Sequence, residues 1–204
     1  MDQEIVLSKT QIKNHDNAAS IAAANKKCAV VVTVDPSKIV GIDGLPVNLL
    51  NRKEVALWLR RVHQGTIVKI RDDKQIVKFT RGGLEDDLFK SRGKPRREAY
   101  ADLSDIVQNS IYYSYEFGDM QHPNVERHKT YYGVISINDA HYATRIKIDT
   151  YLESDIGLYK DLDIREIKSP SLCIRGSFKS NHTYQDEGDI VTISVPEIVR
   201  AFTT

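Results

Sequence analysis

Two runs of alternating apolar and polar residues, Tyr131 to Asn138 and Tyr142 to Thr150, follow each other closely and constrain this chain more than any other feature. Alternation with a period of two marks strands that bury one face, and two such runs joined by a very short link read as an antiparallel hairpin. The link, placed at Asp139-Ala140, carries no Asn-Gly or Asp-Gly pair, so its turn type stays open. Alternation puts Tyr142, Thr144, Ile146 and Ile148 on one face and Ala143, Arg145 and Lys147 on the other. The polar loop Met120 to Thr130 leads into the hairpin. Together they gather His128, His141, Arg127, Arg145, Lys129 and Lys147, the densest group in the chain able to move protons or hold phosphate.

The remaining segments supply layers for such a sheet. Asn51-Arg52-Lys53-Glu54 has the spacing of a capping box, and Val55, Trp58, Leu59 and Val62 follow at i, i+3, i+4 and i+7, which predicts a helix ending at Gly65. Thr66 to Arg71 and Ile76 to Arg81 flank a polar turn and predict a second hairpin, stopped by Gly82-Gly83. Leu84 to Lys90 suits a short helix. A longer one is expected from Arg96 to about Tyr113, with Ala99, Leu103, Ile106, Val107 and Ile111 on its apolar face. Before these lie a helix over Ala18 to Lys27 capped by Asp16-Asn17, a strand over Cys28 to Val34 and a loop from Pro36 to Pro46. After the central hairpin, residues 156–167 show no clear period and read as extended or irregular. Ser171 to Gly176 and Ile190 to Val195 read as strands, and Pro196 to Phe202 as a last helical turn. The fold class expected is α+β, an antiparallel sheet of hairpins packed by two amphipathic helices. Its parts are an N-terminal layer over 1–48, a core domain over 49–168, and a C-terminal strand and helix over 169–204 that complete the domain.

With 41% hydrophobic and 28% charged residues the composition is that of a soluble globular chain. No run approaches the roughly 18 consecutive apolar residues a membrane span needs. The polar start Met1-Asp2-Gln3-Glu4 is no signal peptide, so a cytoplasmic setting without a membrane partner is expected. Cys28 and Cys173 both sit in apolar runs, which predicts buried free thiols in a reducing compartment. The sequence has no HExxH, CxxC or GxxxxGK[ST] pattern, and neither metal nor cofactor is expected. A net charge of +1 hides an asymmetry, because residues 51–100 hold 14 Lys/Arg against 7 Asp/Glu. Ser91 to Arg97 is the most basic run, and its Gly93 and Pro95 suit an arm lying along a phosphate backbone. Arg92, Lys94, Arg96 and Arg97, with Arg60 and Arg61 of the preceding helix, are therefore the candidate nucleic-acid contacts, RNA favoured. Tyr112, Tyr113 and Tyr115 could stack bases, but tyrosines at the end of a packed helix more often edge a core.

The order of these parts, from the helix after Asn51 through the strand pair ending near Phe79, the basic connector and Leu103 to Val107, continues to His128-Lys129, Tyr131-Tyr132, His141-Tyr142 and Leu158-Tyr159. From about Leu49 to Lys168 it resembles domains of large phage and mobile-element polyvalent proteins and of the C-termini of MuF-type phage head proteins. Several such domains are grouped with the barnase, EndoU, colicin and RelE-like nucleases, and that resemblance implies metal-independent RNA cleavage. Such cleavage needs a base for the 2′-hydroxyl, an acid for the leaving oxygen and a cation for the charged phosphorane. His128 is the candidate base, Lys129 and Arg145 the phosphate stabilisers, and Tyr142 or Tyr159 the proton donor. Tyr142 and Arg145 point to opposite sides of the strand unless a bulge intervenes. The competing reading is a catalytically inert nucleic-acid or protein binder, such as an inhibitor of a host defence, or a domain with its own inhibitor partner. A steep salt dependence of binding would mark phosphate contacts.

Overall fold

The computed structural model describes residues 9–91, 93–118, 124–175 and 190–203. Its strands are β1 (Cys28–Thr33), β2 (Ile67–Lys69), β3 (Ile76–Lys78), β4 (Ile111–Phe117), β5 (Val125–Ile137), β6 (Ala140–Tyr151), β7 (Ser154–Glu166), β8 (Cys173–Arg175) and β9 (Ile190–Ser194). The helices are α1 (Lys9–Ala24), α2 (Arg52–His63), α3 (Arg81–Lys90), α4 (Lys94–Glu98), α5 (Leu103–Gln108) and α6 (Val195–Arg200). The strands join in the order β2-β3-β7-β6-β5-β1-β9-β8, with β4 also on β5. The sheet is mixed, not purely antiparallel, because β1 runs parallel to β5 and β3 parallel to β7. Among the described residues no helix is long and apolar enough to cross a membrane.

The central hairpin is present and is longer than the alternating runs that predict it. Its two-residue turn is Asn138-Asp139, both at positive φ (49° and 65°), the conformation whose twist matches the flanking strands. Of the two readings for 156–167, extended or irregular, the extended one holds: residues through Glu166 belong to β7, which pairs antiparallel with β6.

A second correction concerns residues 96–113. The chain forms α4, a 3₁₀ turn over Ala99–Asp102, then α5, and Ile111 to Phe117 leave the helix altogether as β4. The bulk of Tyr112, Tyr113 and Tyr115 suits a pleated surface better than a helix end. Within the basic run, Lys94 to Arg97 form no arm: they lie in the helical turn α4, with Pro95 in its first turn. Asn51 caps α2 as its spacing predicts, accepting from the Lys53 amide. Gly82-Gly83 lie inside α3, and Cys173 is exposed, not buried.

One face of the sheet carries the main core. Tyr131, Ile135, Ile146, Ile148 and Leu162 project from β5, β6 and β7 into Val55, Leu59, Leu84, Leu103 and Ile106 of α2, α3 and α5. On the other face a smaller cluster, Tyr132, Val134, Ala143, Ile193 and Ile198, seats α6.

Both flanks of the sheet centre are closed by side chains. The Asn17 amide nitrogen donates to the Tyr115 carbonyl at 2.8 Å and its oxygen accepts from the Tyr115 amide at 2.9 Å, so α1 occupies the outer edge of β4. On the far side α3 lies against β7, close enough that a Cβ at Gly83 would strike the Tyr159 carbonyl oxygen. There Asp87, fully buried, accepts from Arg96 Nη2 (2.5 Å), the Tyr159 hydroxyl (2.6 Å) and the Leu162 amide (3.2 Å). Burial alone drives this carboxyl upward in pKa, and the three donors oppose that drive.

Two stability predictions follow from these contacts. Asp87→Ala strands the Arg96 guanidinium, and urea denaturation should show a loss of about 3–5 kcal/mol. His63, buried between Trp58 and Phe79, donates from Nε2 to the Tyr100 carbonyl at 2.8 Å, and burial holds its pKa below the usual 6.5. The unfolded chain then binds a proton at His63 before the folded one does, so its contribution is complete above about pH 6.5 and is lost as pH falls below it. The wild-type urea midpoint should fall between about pH 7.5 and about pH 5.5, and His63→Gln should flatten that fall.

Candidate functional site

Alternation along β5 sends neighbouring residues to opposite faces, and this divides the expected site. His128 lies opposite Asp149 on β6, with His128 Nδ1 2.6 Å from Asp149 Oδ1. Lys160 Nζ stands 3.4 Å from the other carboxylate oxygen. The pair is half-buried, with His128 16% and Asp149 12% exposed at their side chains. Register extends the row across six strands: Ile67, Lys78, Leu158, Asp149, His128 and Glu116 share one face. Strands stand about 4.8 Å apart, so from Lys78 to His128 the row spans roughly 14 Å. Lys69 and Lys147 are on the same face, and among the described residues neither they nor Lys78 pairs with a carboxylate.

Lys129 turns to the opposite face. Its Nζ donates to Gln75 Oε1 at 2.7 Å and lies 3.7 Å from Asp73 and 5.6 Å from the centre of the Tyr112 ring. Beside it the Arg127 guanidinium sits 4.5 Å from the centre of the Tyr115 ring. Both line a hollow of about 530 Å³ with Gln75, Tyr151, Ser154 and Asp155. Tyr142 is on Lys129's face too, partly buried against the main core, with burial raising its pKa and Glu166 and Glu98 adding to it. Tyr159 is fully buried with its hydroxyl on Asp87, and burial followed by that carboxylate pushes its pKa far up. Arg145 shares His128's face but lies further along β6, opposite Tyr132, bound to Asp163 at 3.0 Å, with its guanidinium 5.1 Å from the centre of the Phe202 ring. The structure thus joins His128 with Asp149 and Lys160, and places Lys129, Tyr142 and Tyr159 elsewhere.

The candidate nucleic-acid contacts are mostly engaged internally. Arg96 reaches Asp87 and lies 3.9 Å from Asp163; Arg97 holds the Leu49 carbonyl; Arg60 pairs with Glu85; Arg61 donates to the Val40 carbonyl. Lys94 is 71% exposed, 3.3 Å from Glu98. Arg92, His122 and His182 lie outside the described residues.

Asp149 and Lys78 were legible only through register. Two-residue loops centred at Asp139-Ala140 and at Asn138-Asp139 put His128 on the same face but give it different partners, Tyr151 in the first case and Asp149 in the second. The short strand β3 gives no sequence sign that it runs parallel to β7 and so brings Lys78 into the row.

This is a mixed α/β domain whose main core covers one sheet face; the other face seats α6 and also carries a His-Asp pair and lysines that have no carboxylate partner among the described residues. The family model for large polyvalent protein-associated domain 3 matches residues 49–157, and the chain belongs to that family. Comparison with curated proteins and with solved structures gives no match.

Because the Tyr159 hydroxyl serves Asp87, Tyr159→Phe should lower stability by about 1–2 kcal/mol in urea denaturation.

Proposed function

We propose that the domain binds RNA across the sheet face bearing His128, and that it is a metal-independent ribonuclease of phage or mobile-element type. Membership of the polyvalent-protein family supports the origin. The observation that carries the chemistry is the His128–Asp149 pair at 2.6 Å beside Lys160, with Lys147, Lys78 and Lys69 on the same face. Lysines without carboxylate partners are available to phosphates. In this reading His128 takes the 2′-hydroxyl proton as the 2′-oxygen bonds to phosphorus, and the imidazolium returns that proton to the 5′-oxygen as the bond from phosphorus to it breaks. Asp149 orients the ring and balances the imidazolium that forms, and Lys147 and Lys160 offset the phosphorane's charge.

A second reading, a non-catalytic RNA- or protein-binding module such as an inhibitor of a host defence, is favoured by a different observation. Lys129 and Tyr142 face away from His128 and Tyr159 is buried, so the tyrosines supply no separate proton donor for the leaving oxygen.

Incubation with total RNA in EDTA separates the two. The catalytic reading expects cleavage, lowered about 10²–10⁴-fold by His128→Ala. Lys78→Ala and Lys147→Ala should each reduce the salt slope of RNA binding by about one. Salt-dependent binding with no cleavage would support the second reading. Neither binding nor cleavage would overturn RNA as the partner.

A further inference from the structure

The outer side of α2 carries a surface that the RNA-binding face does not use. Leu57, 63% exposed, forms a ridge between two grooves of about 830 and 430 Å³. Ile42 and Leu45, 93% and 63% exposed, flank the larger, and Phe89, 75% exposed, closes the smaller. Such a group of large apolar side chains left in water marks an interaction site more often than chance exposure.

The loop that presents Ile42 and Leu45 is held in shape. The Gly41 amide donates to the Leu45 carbonyl at 2.7 Å, the Leu45 amide to Asp43 Oδ1 at 3.1 Å, and Val40 bridges to Pro46. Gly44 takes φ of +78°, the left-handed turn that glycine enters without strain. Arg61 of α2 ties the loop down through the Val40 carbonyl. The apolar lip is thus ordered before any partner arrives, which lowers the entropy cost of docking.

Charge selects the occupant. Of the acids bordering the grooves, Glu85 is neutralised by Arg60 and Arg81, while Asp43 and Glu54 keep their charge with their oxygens held by the Leu45 amide and by Asn48 and Asn51. Arg52, Lys53 and Arg61 have no carboxylate partner among the described residues, and the Arg52 guanidinium rests 5.6 Å from the centre of the Phe89 ring. We infer that this surface docks an amphipathic helix of a partner protein, its apolar residues straddling Leu57 and its acidic residues meeting Arg52, Lys53 and Arg61. Helix-in-groove recognition needs apolar anchors at i, i+3 or i+4, and i+7, and acidic flanks would supply the missing counter-charges. A second copy of this chain is a poorer fit, because a two-fold interface brings each cationic rim against its own kind.

Selection of displayed short helical peptides against the full chain tests this. The expected winners are acidic and amphipathic, and Leu57→Gln should weaken them about tenfold or more in fluorescence anisotropy. Lys53→Glu should weaken them most at low salt. Leu57 is largely exposed, so an unchanged urea midpoint will show that Leu57→Gln is folded. Enrichment of basic peptides, absence of any enriched helix, or affinities indifferent to Leu57→Gln would overturn the inference. So would a wild-type dimer in sedimentation that Leu57→Gln dissolves.

Discussion

The Asp87 carboxylate determines how the sheet is finished. The outer edge of β7 beyond its contact with β3 presents amides and carbonyls, and buried backbone groups of this kind must find partners. Asp87 takes the Leu162 amide, Gly83 lets α3 come close enough for it to do so, and Arg96 and Tyr159 supply the donors that make a buried carboxylate tolerable. Asn17 performs the equivalent service on β4 with a neutral amide, which can donate and accept at once. Covered in this way at Tyr115 and Leu162, β4 and the free stretch of β7 are blocked against pairing with another chain.

That arrangement also explains why the basic run from Ser91 to Arg97 does not behave as its composition suggests. A guanidinium is needed inside, opposite Asp87, and Arg96 is the residue that provides it. Arg97 is spent on the Leu49 carbonyl, fixing the segment that precedes α2. Counting charges along the chain identified a cationic quarter but could not separate side chains that serve the fold from those that face water. The lysines of β2, β3 and β6 are the ones left without a carboxylate partner among the described residues, and strand alternation points them away from the main core.

Much of the framework was legible in the residues: the central hairpin, the capped helix after Asn51, the second hairpin and the strands near both ends. What failed did so for local reasons. Ala99, Leu103, Ile106 and Val107 keep a helical period, and nothing in that period signals that Ile111 begins a strand two residues after the helix stops. β7 shows no clear period because a bulge opposite Lys147 and Ile148 adds a residue and breaks its alternation. In the candidate site, the facing of Tyr142 against Arg145 was readable from alternation alone. The His128–Asp149 pair was not, because it depends on which two residues form the turn.

The position of β1 has a consequence for how the protein is made. Its first half pairs with β9 and its second half with β5, so β1 waits for a strand synthesised much later before its neighbours are complete. Contacts this distant in sequence slow folding, since a long loop must close before they form. On the ribosome, the hairpin of β5 and β6 can assemble while β1 still lacks its second neighbour. The nascent domain therefore carries an unzipped seam until β9 emerges.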